Sequence, residues 1–198
     1  MNLVDRVKKI LIEPKKEWPV IEQENTSVVQ LITNYLLILA LIPAVASFIG
    51  YGLIGVDIPF FGHVGSISWG IRQAIIQFVV TIGGALLSAF IIDALAPNFG
   101  ATKNFNKALQ LVVYSYTPSM VAGIFFIYPS LAIIATLAGI YGLYLLYLGI
   151  GPMMKTPQEK ITGYFVVSLI VTILVMIILS AILTALLIGS TSGLEMLR

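Results

Sequence analysis

Six side chains crowd the centre of an otherwise apolar run, Val112-Val113-Tyr114-Ser115-Tyr116-Thr117-Pro118-Ser119. Two phenols and three hydroxyls beside a proline can bond a ligand or repair a broken helix. Pro118 has no N–H, so the carbonyl of Tyr114 loses its helical partner and a kink is expected. Thr117 and Ser119 have hydroxyls of the kind that re-satisfy freed backbone. Tyr114 and Tyr116 lie on nearly opposite faces, so at least one must bond a neighbouring helix. Tyr141, Tyr144 and Tyr147 recur every three residues downstream, among Gly139, Gly142, Ala135 and Ala138. This pattern suits either a tight helix–helix interface or a phenol-lined groove for a lipid or small solute. Asp93 is the sole acid inside an apolar segment. An ionisable group there is either a structural anchor or a coupling site, with Lys103, Lys107 or a tyrosine hydroxyl of the Phe105 to Ile127 segment as expected partner.

The elements that must position these residues are membrane spans. Of 198 residues, 59% are hydrophobic and 10% charged, against roughly 25% charged in a soluble domain. Five segments exceed the length needed to cross a bilayer: Val28 to Ile54, Ile71 to Leu95, Phe105 to Ile127, Pro129 to Ile150 and Ile161 to Ile188. The fold class is therefore an all-α membrane protein, a five-helix bundle spanning residues 28–190. A segment 1–27 precedes it and a short tail 191–198 follows. Ser27-Val28-Val29-Gln30 and Thr156-Pro157-Gln158-Glu159 both fit capping boxes at helix starts. No internal repeat is convincing.

Lysine and arginine are distributed unevenly between the loops. Arg6, Lys8, Lys9, Lys15, Lys16, Lys103, Lys107, Lys155 and Lys160 fall on one side, and only Arg72 and Arg198 on the other. The positive-inside rule places the first set, with the N-terminus, in the cytosol and the C-terminus outside. The expected localisation is the plasma or inner membrane. Leu3, Val4, Val7, Ile10 and Leu11 recur at helical spacing among charged residues, and Pro14 stops that helix. The segment reads as an amphipathic helix on the inner leaflet, with Trp18 at headgroup depth. Its acids and its length make it unlike a cleaved leader. Gly100 is expected in a left-handed turn. With Lys103, Lys107 and Lys155 it marks a cytoplasmic corner, and Gly149-Ile150-Gly151-Pro152 forms a second exit corner.

Several chemistries are excluded. Cysteine is absent and His63 is the sole histidine, so thiolate and paired-histidine metal sites have no ligands. No cofactor is implied. The net charge of +2 and the lack of a basic tract exclude nucleic acid as partner. An intramembrane enzyme lacks a second embedded acid or a base beside a nucleophile.

Asp93, Asn98-Phe99-Gly100 and Lys103-Asn104-Phe105-Asn106-Lys107-Ala108-Leu109 together resemble the Yip-domain membrane proteins, prokaryotic branch. The resemblance continues through Tyr114 to Pro118, Leu148-Gly149-Ile150-Gly151 and Lys155 to Lys160. It implies a five-helix bundle with a cytoplasmic N-terminus. Eukaryotic relatives bind Rab-type GTPases and shape secretory membranes, but their acidic Tyr-Gly-Pro signature has no counterpart here. Two functions follow. One is a non-catalytic protein that organises lipids or recruits membrane-protein or homo-oligomer partners through its cytoplasmic loops. The other is a solute or ion transporter using Asp93 and the Tyr114–Pro118 kink.

Overall fold

The structure, a computed structural model, describes the backbone of residues 2–58 and 62–195, and the side chains of residues 2–56 and 62–178. Five apolar helical spans cross the molecule: Val28–Ile54, Ile67–Phe99, Phe105–Ile127, Pro129–Met154 and Gln158–Ile178, with the helix of the fifth continuing to Glu195. The sequence boundaries hold for the first and third. The second and fourth are longer than expected, because amphipathic or glycine-containing ends extend the same helices. The fourth passes through Pro152 and stops at Lys155, whose φ of 51° is left-handed. The glycine–proline run therefore lies inside the helix, and the corner falls just after it.

Loops alternate between two ends. Thr102 N–H donates to the Met154 carbonyl at 2.7 Å, and Lys155 pairs with Glu22 at 3.9 Å, so every loop of the lysine-rich set gathers at one end. The opposite end carries a two-stranded antiparallel ribbon, β1 (Val56–Ile58) and β2 (Gly62–Val64), with Asp57 opposite His63. There Gly52 and Gly70 bring the first two spans into backbone contact.

Ser27 forms its capping box with Gln30. Thr156 does not: its hydroxyl turns back to the Ile150 carbonyl at 3.3 Å. Pro157 instead precedes a single tight turn, Gln158–Lys160. Pro157 takes the cap position itself, and the Thr156 N–H also closes the preceding helix, donating to the Gly151 carbonyl at 3.2 Å.

The N-terminal segment departs most from expectation. It holds two helices, α1 (Leu3–Ile12) and α2 (Pro14–Gln23), because Pro14 ends the first and starts the second. They form a hairpin driven into the bundle. Ile10, Trp18 and Ile21 are wholly buried and belong to the main core with Leu109, Leu111, Val112 and Ile150. Trp18 is 1% exposed, so it is a core residue and not a headgroup anchor. Room for it comes from Gly149, where a Cβ would lie 2.7 Å from the indole Cε2.

Candidate functional site

The third span breaks where the proline demands it. One helix covers Phe105–Ser115, a second Thr117–Ala122, and Pro118 lies in the first turn of the second, where its missing N–H costs no bond. The polar residues around the break face three ways. Tyr114 points to the N-terminal hairpin, edge-on to Tyr35 at 4.9 Å and beneath the Arg6 guanidinium at 5.3 Å. Tyr116 points to the second span, its hydroxyl 3.0 Å from that of Ser88. Thr117 bonds the Tyr35 hydroxyl of the first span at 2.9 Å. The Thr117 hydroxyl thus ties spans together and does not mend the kink. The partner of Tyr116 comes from the second span, not from the tyrosines of the fourth.

Those tyrosines have other work. Tyr141 donates to the Leu11 carbonyl at 2.8 Å, fastening α1, and Tyr147 meets Thr162 of the fifth span at 3.3 Å. Tyr144 is half exposed, its ring 5.7 Å from that of Tyr141. The small residues do bring helices together: a Cβ on Gly142 would lie 2.6 Å from the Ser115 carbonyl oxygen.

A groove of about 440 Å³ opens beside Tyr116, walled by Thr81 and Gly84, Ser119, Thr136 and Gly139, and Met176. Among the described residues no charged side chain lines it. Tyr114, Tyr141, Tyr144 and Asp93 lie outside it, so the residues singled out from sequence form no single site.

Asp93 is buried, and its Oδ1 has no hydrogen-bond partner among the described residues. Among the described residues no lysine pairs with it, contrary to expectation. Lys107 is committed elsewhere, donating from Nζ to the carbonyls of Glu22 at 2.5 Å and Glu24 at 2.9 Å, with Ile21 at 3.4 Å. These carbonyls end α2, so the ammonium caps a helix C-terminus, where cations are favoured. Asn106 and Gln110 add bonds to the Thr26 carbonyl at 2.9 and 3.1 Å. Next to Asp93, the Tyr164 hydroxyl donates to the Ile92 carbonyl at 2.5 Å.

The strongest charged contact was not foreseen. Arg6, 4% exposed, pairs with Glu17 at 2.5 Å and also with Glu24. Its position was a usable signal, since Arg6 lies on the apolar stripe of α1, three residues after Leu3 and four before Ile10. A charge on that stripe needs a partner inside. At the hairpin tip, Lys16 pairs with Glu13 at 2.8 Å. That bond holds the Glu13 carboxyl below its usual value and the Lys16 ammonium above its own.

Gly100 is left-handed, φ 66°, and lies against Pro157 and Lys160. Lys103 is exposed beside it. Among the described residues no group of histidine and acidic side chains could hold a metal ion.

Five apolar spans around a buried polar break define a multi-pass helical membrane protein. The Yip1 domain model matches residues 8–189, and the chain belongs to that family. It is 29% identical over 152 residues to inner membrane protein YohC of Escherichia coli strain K12, covering 74% of this chain and 77% of the relative. The YohC of E. coli O6:H1 strain CFT073 matches to the same degree. No solved structure matches.

Proposed function

We propose that the protein is a non-catalytic component of the cell membrane that organises lipids and recruits partners from a rigid face at its lysine-rich end, and that this end is cytosolic. The Lys107 ammonium carries this reading. By capping α2 it locks the N-terminal hairpin to the start of the third span. Thr102–Met154 and Lys155–Glu22 then join the remaining corners to the same face. Ordering entropy for that face is spent in folding, so a partner meets a surface already formed.

Transport has the Tyr116 groove in its favour, yet Asp93 is not on the groove's wall. Liposome flux tests it: absent flux in wild type removes transport, and flux equal in wild type and Asp93→Asn removes the part given to Asp93. For the favoured reading, a photo-crosslinking residue at Lys103 or Lys155 is expected to trap the same discrete protein or lipid from both positions. Lys107→Ala, which frees the hairpin, is expected to abolish both adducts. Absence of any discrete adduct, or adducts indifferent to Lys107→Ala, overturns the proposal.

A further inference from the structure

The tip of the N-terminal hairpin reaches an unusual depth. The fourth span has 26 residues, about 39 Å of helix at the standard rise, against a hydrocarbon core of about 30 Å. Tyr141 lies about 20 Å along the axis from Met154. Even if all of the excess length protrudes at the lysine-rich end, Tyr141 is still about 10 Å inside the hydrocarbon. Its hydroxyl is bonded to the Leu11 carbonyl, so the turn after Leu11 shares that depth.

That turn is charged. A groove of about 370 Å³ separates Ile12, Glu13, Lys15 and Lys16 from Tyr141 and Tyr144. Lys16 spends one donor on Glu13, while Lys15 has no ion-pair partner among the described residues. On the groove wall two ammonium groups, those of Lys15 and Lys16, thus face one carboxylate, that of Glu13. The Tyr144 hydroxyl is likewise without a partner among the described residues, and Leu137 and Ile140 beside it are 57% and 61% exposed. Uncompensated ammonium groups against such a surface require an anion or water brought down to them.

We propose that this groove holds the headgroup of an anionic phospholipid drawn below the plane of its leaflet. Lys15 and Lys16 pair with the phosphate, the Tyr144 hydroxyl donates to it, and the acyl chains lie along Ile12 and the exposed face of the fourth span. A zwitterionic headgroup brings its own cation and gains less from the excess of lysines. The site deepens the lipid-organising reading above and rests on it: a lipid held at this depth would thin the leaflet around the protein.

Native mass spectrometry of the purified protein, titrated with phosphatidylglycerol or phosphatidylcholine, tests the site. Wild type is expected to retain phosphatidylglycerol preferentially, with retention falling about fivefold per lysine removed in Lys15→Gln and Lys16→Gln. Lys8→Gln, exposed on α1, is expected to change nothing. Lys15→Arg with Lys16→Arg is expected to keep retention, and Tyr144→Phe to weaken it. These two variants decide the matter if the glutamine variants fail to fold. Equal retention of both lipids, or retention unchanged in the glutamine variants, overturns the site, as does competition by inorganic phosphate at concentrations comparable with the lipid. Loss of the Lys103 and Lys155 crosslinks with lipid retention intact would reject the partner-recruiting reading and leave the site standing. Unselective retention with crosslinks intact would do the reverse.

Discussion

The two ends of this bundle are built by different means. Toward the lysine-rich end, charged and polar groups are drawn inside and paired: Arg6 with two glutamates and Lys107 with three carbonyls, while deeper in the bundle Tyr141 holds Leu11. Beside Tyr116 the helices stand apart around an uncharged groove, held by single hydroxyl pairs such as Ser88 with Tyr116. The third span shows the contrast along one chain. In its most apolar stretch 56% is buried, against 17% and 11% in those of the fourth and fifth among the described residues. Polar bonds to the hairpin fix the third span from one side, and the outer spans are left to lipid. Rigidity is thus concentrated where a partner would dock, and looseness where a lipid tail could enter.

That contrast can be broken first at its charged centre. Arg6→Ala leaves Glu17 buried without a partner and is expected to cost about 3–5 kcal/mol, read as a large drop in detergent melting temperature with early proteolysis of residues 2–24. Gly149→Val drives a branched side chain into Leu111 and the Trp18 indole. Overpacking of about 1–3 kcal/mol is expected, and again the hairpin should be cleaved before the spans. Tyr35→Phe strands the Thr117 hydroxyl, which is fully buried. About 1 kcal/mol is expected from the melting curve. On the groove side, Ser88→Ala should be smallest, about 0.5 kcal/mol, since the Tyr116 phenol can turn toward the groove and a typical bond within the membrane is weak. A loss at Ser88 equal to that at Arg6 would erase the distinction between the two ends.

The spans were legible because hydrocarbon imposes one simple requirement, a long apolar helix, and composition records it directly. The kink was legible for the same local reason, since Pro118 alone dictates it. The capping box at Ser27 and the left-handed turn at Gly100 also follow from single residues. Misread features depended on what lay across space. Trp18 carries the same amphipathic signature whether it rests at an interface or fills the notch over Gly149. Lys107 looked like a partner for Asp93 because both flank one loop, but the nearer claim was the end of α2, far away in sequence. Thr156 matched a capping box letter by letter and was claimed by the preceding helix. Arg6 was the clue available and unused, a cation on an apolar stripe that only a buried acid could explain.

The account turns on the hairpin being part of the bundle. Trp69→Phe leaves Trp18 as the single tryptophan, and its fluorescence can be quenched by acrylamide from water or by brominated lipids at known depths. A blue-shifted emission resistant to both quenchers is predicted, as for an indole sealed between Leu111 and Gly149. Efficient quenching by bromines at headgroup depth would place the hairpin on the membrane surface and contradict the structure's central feature.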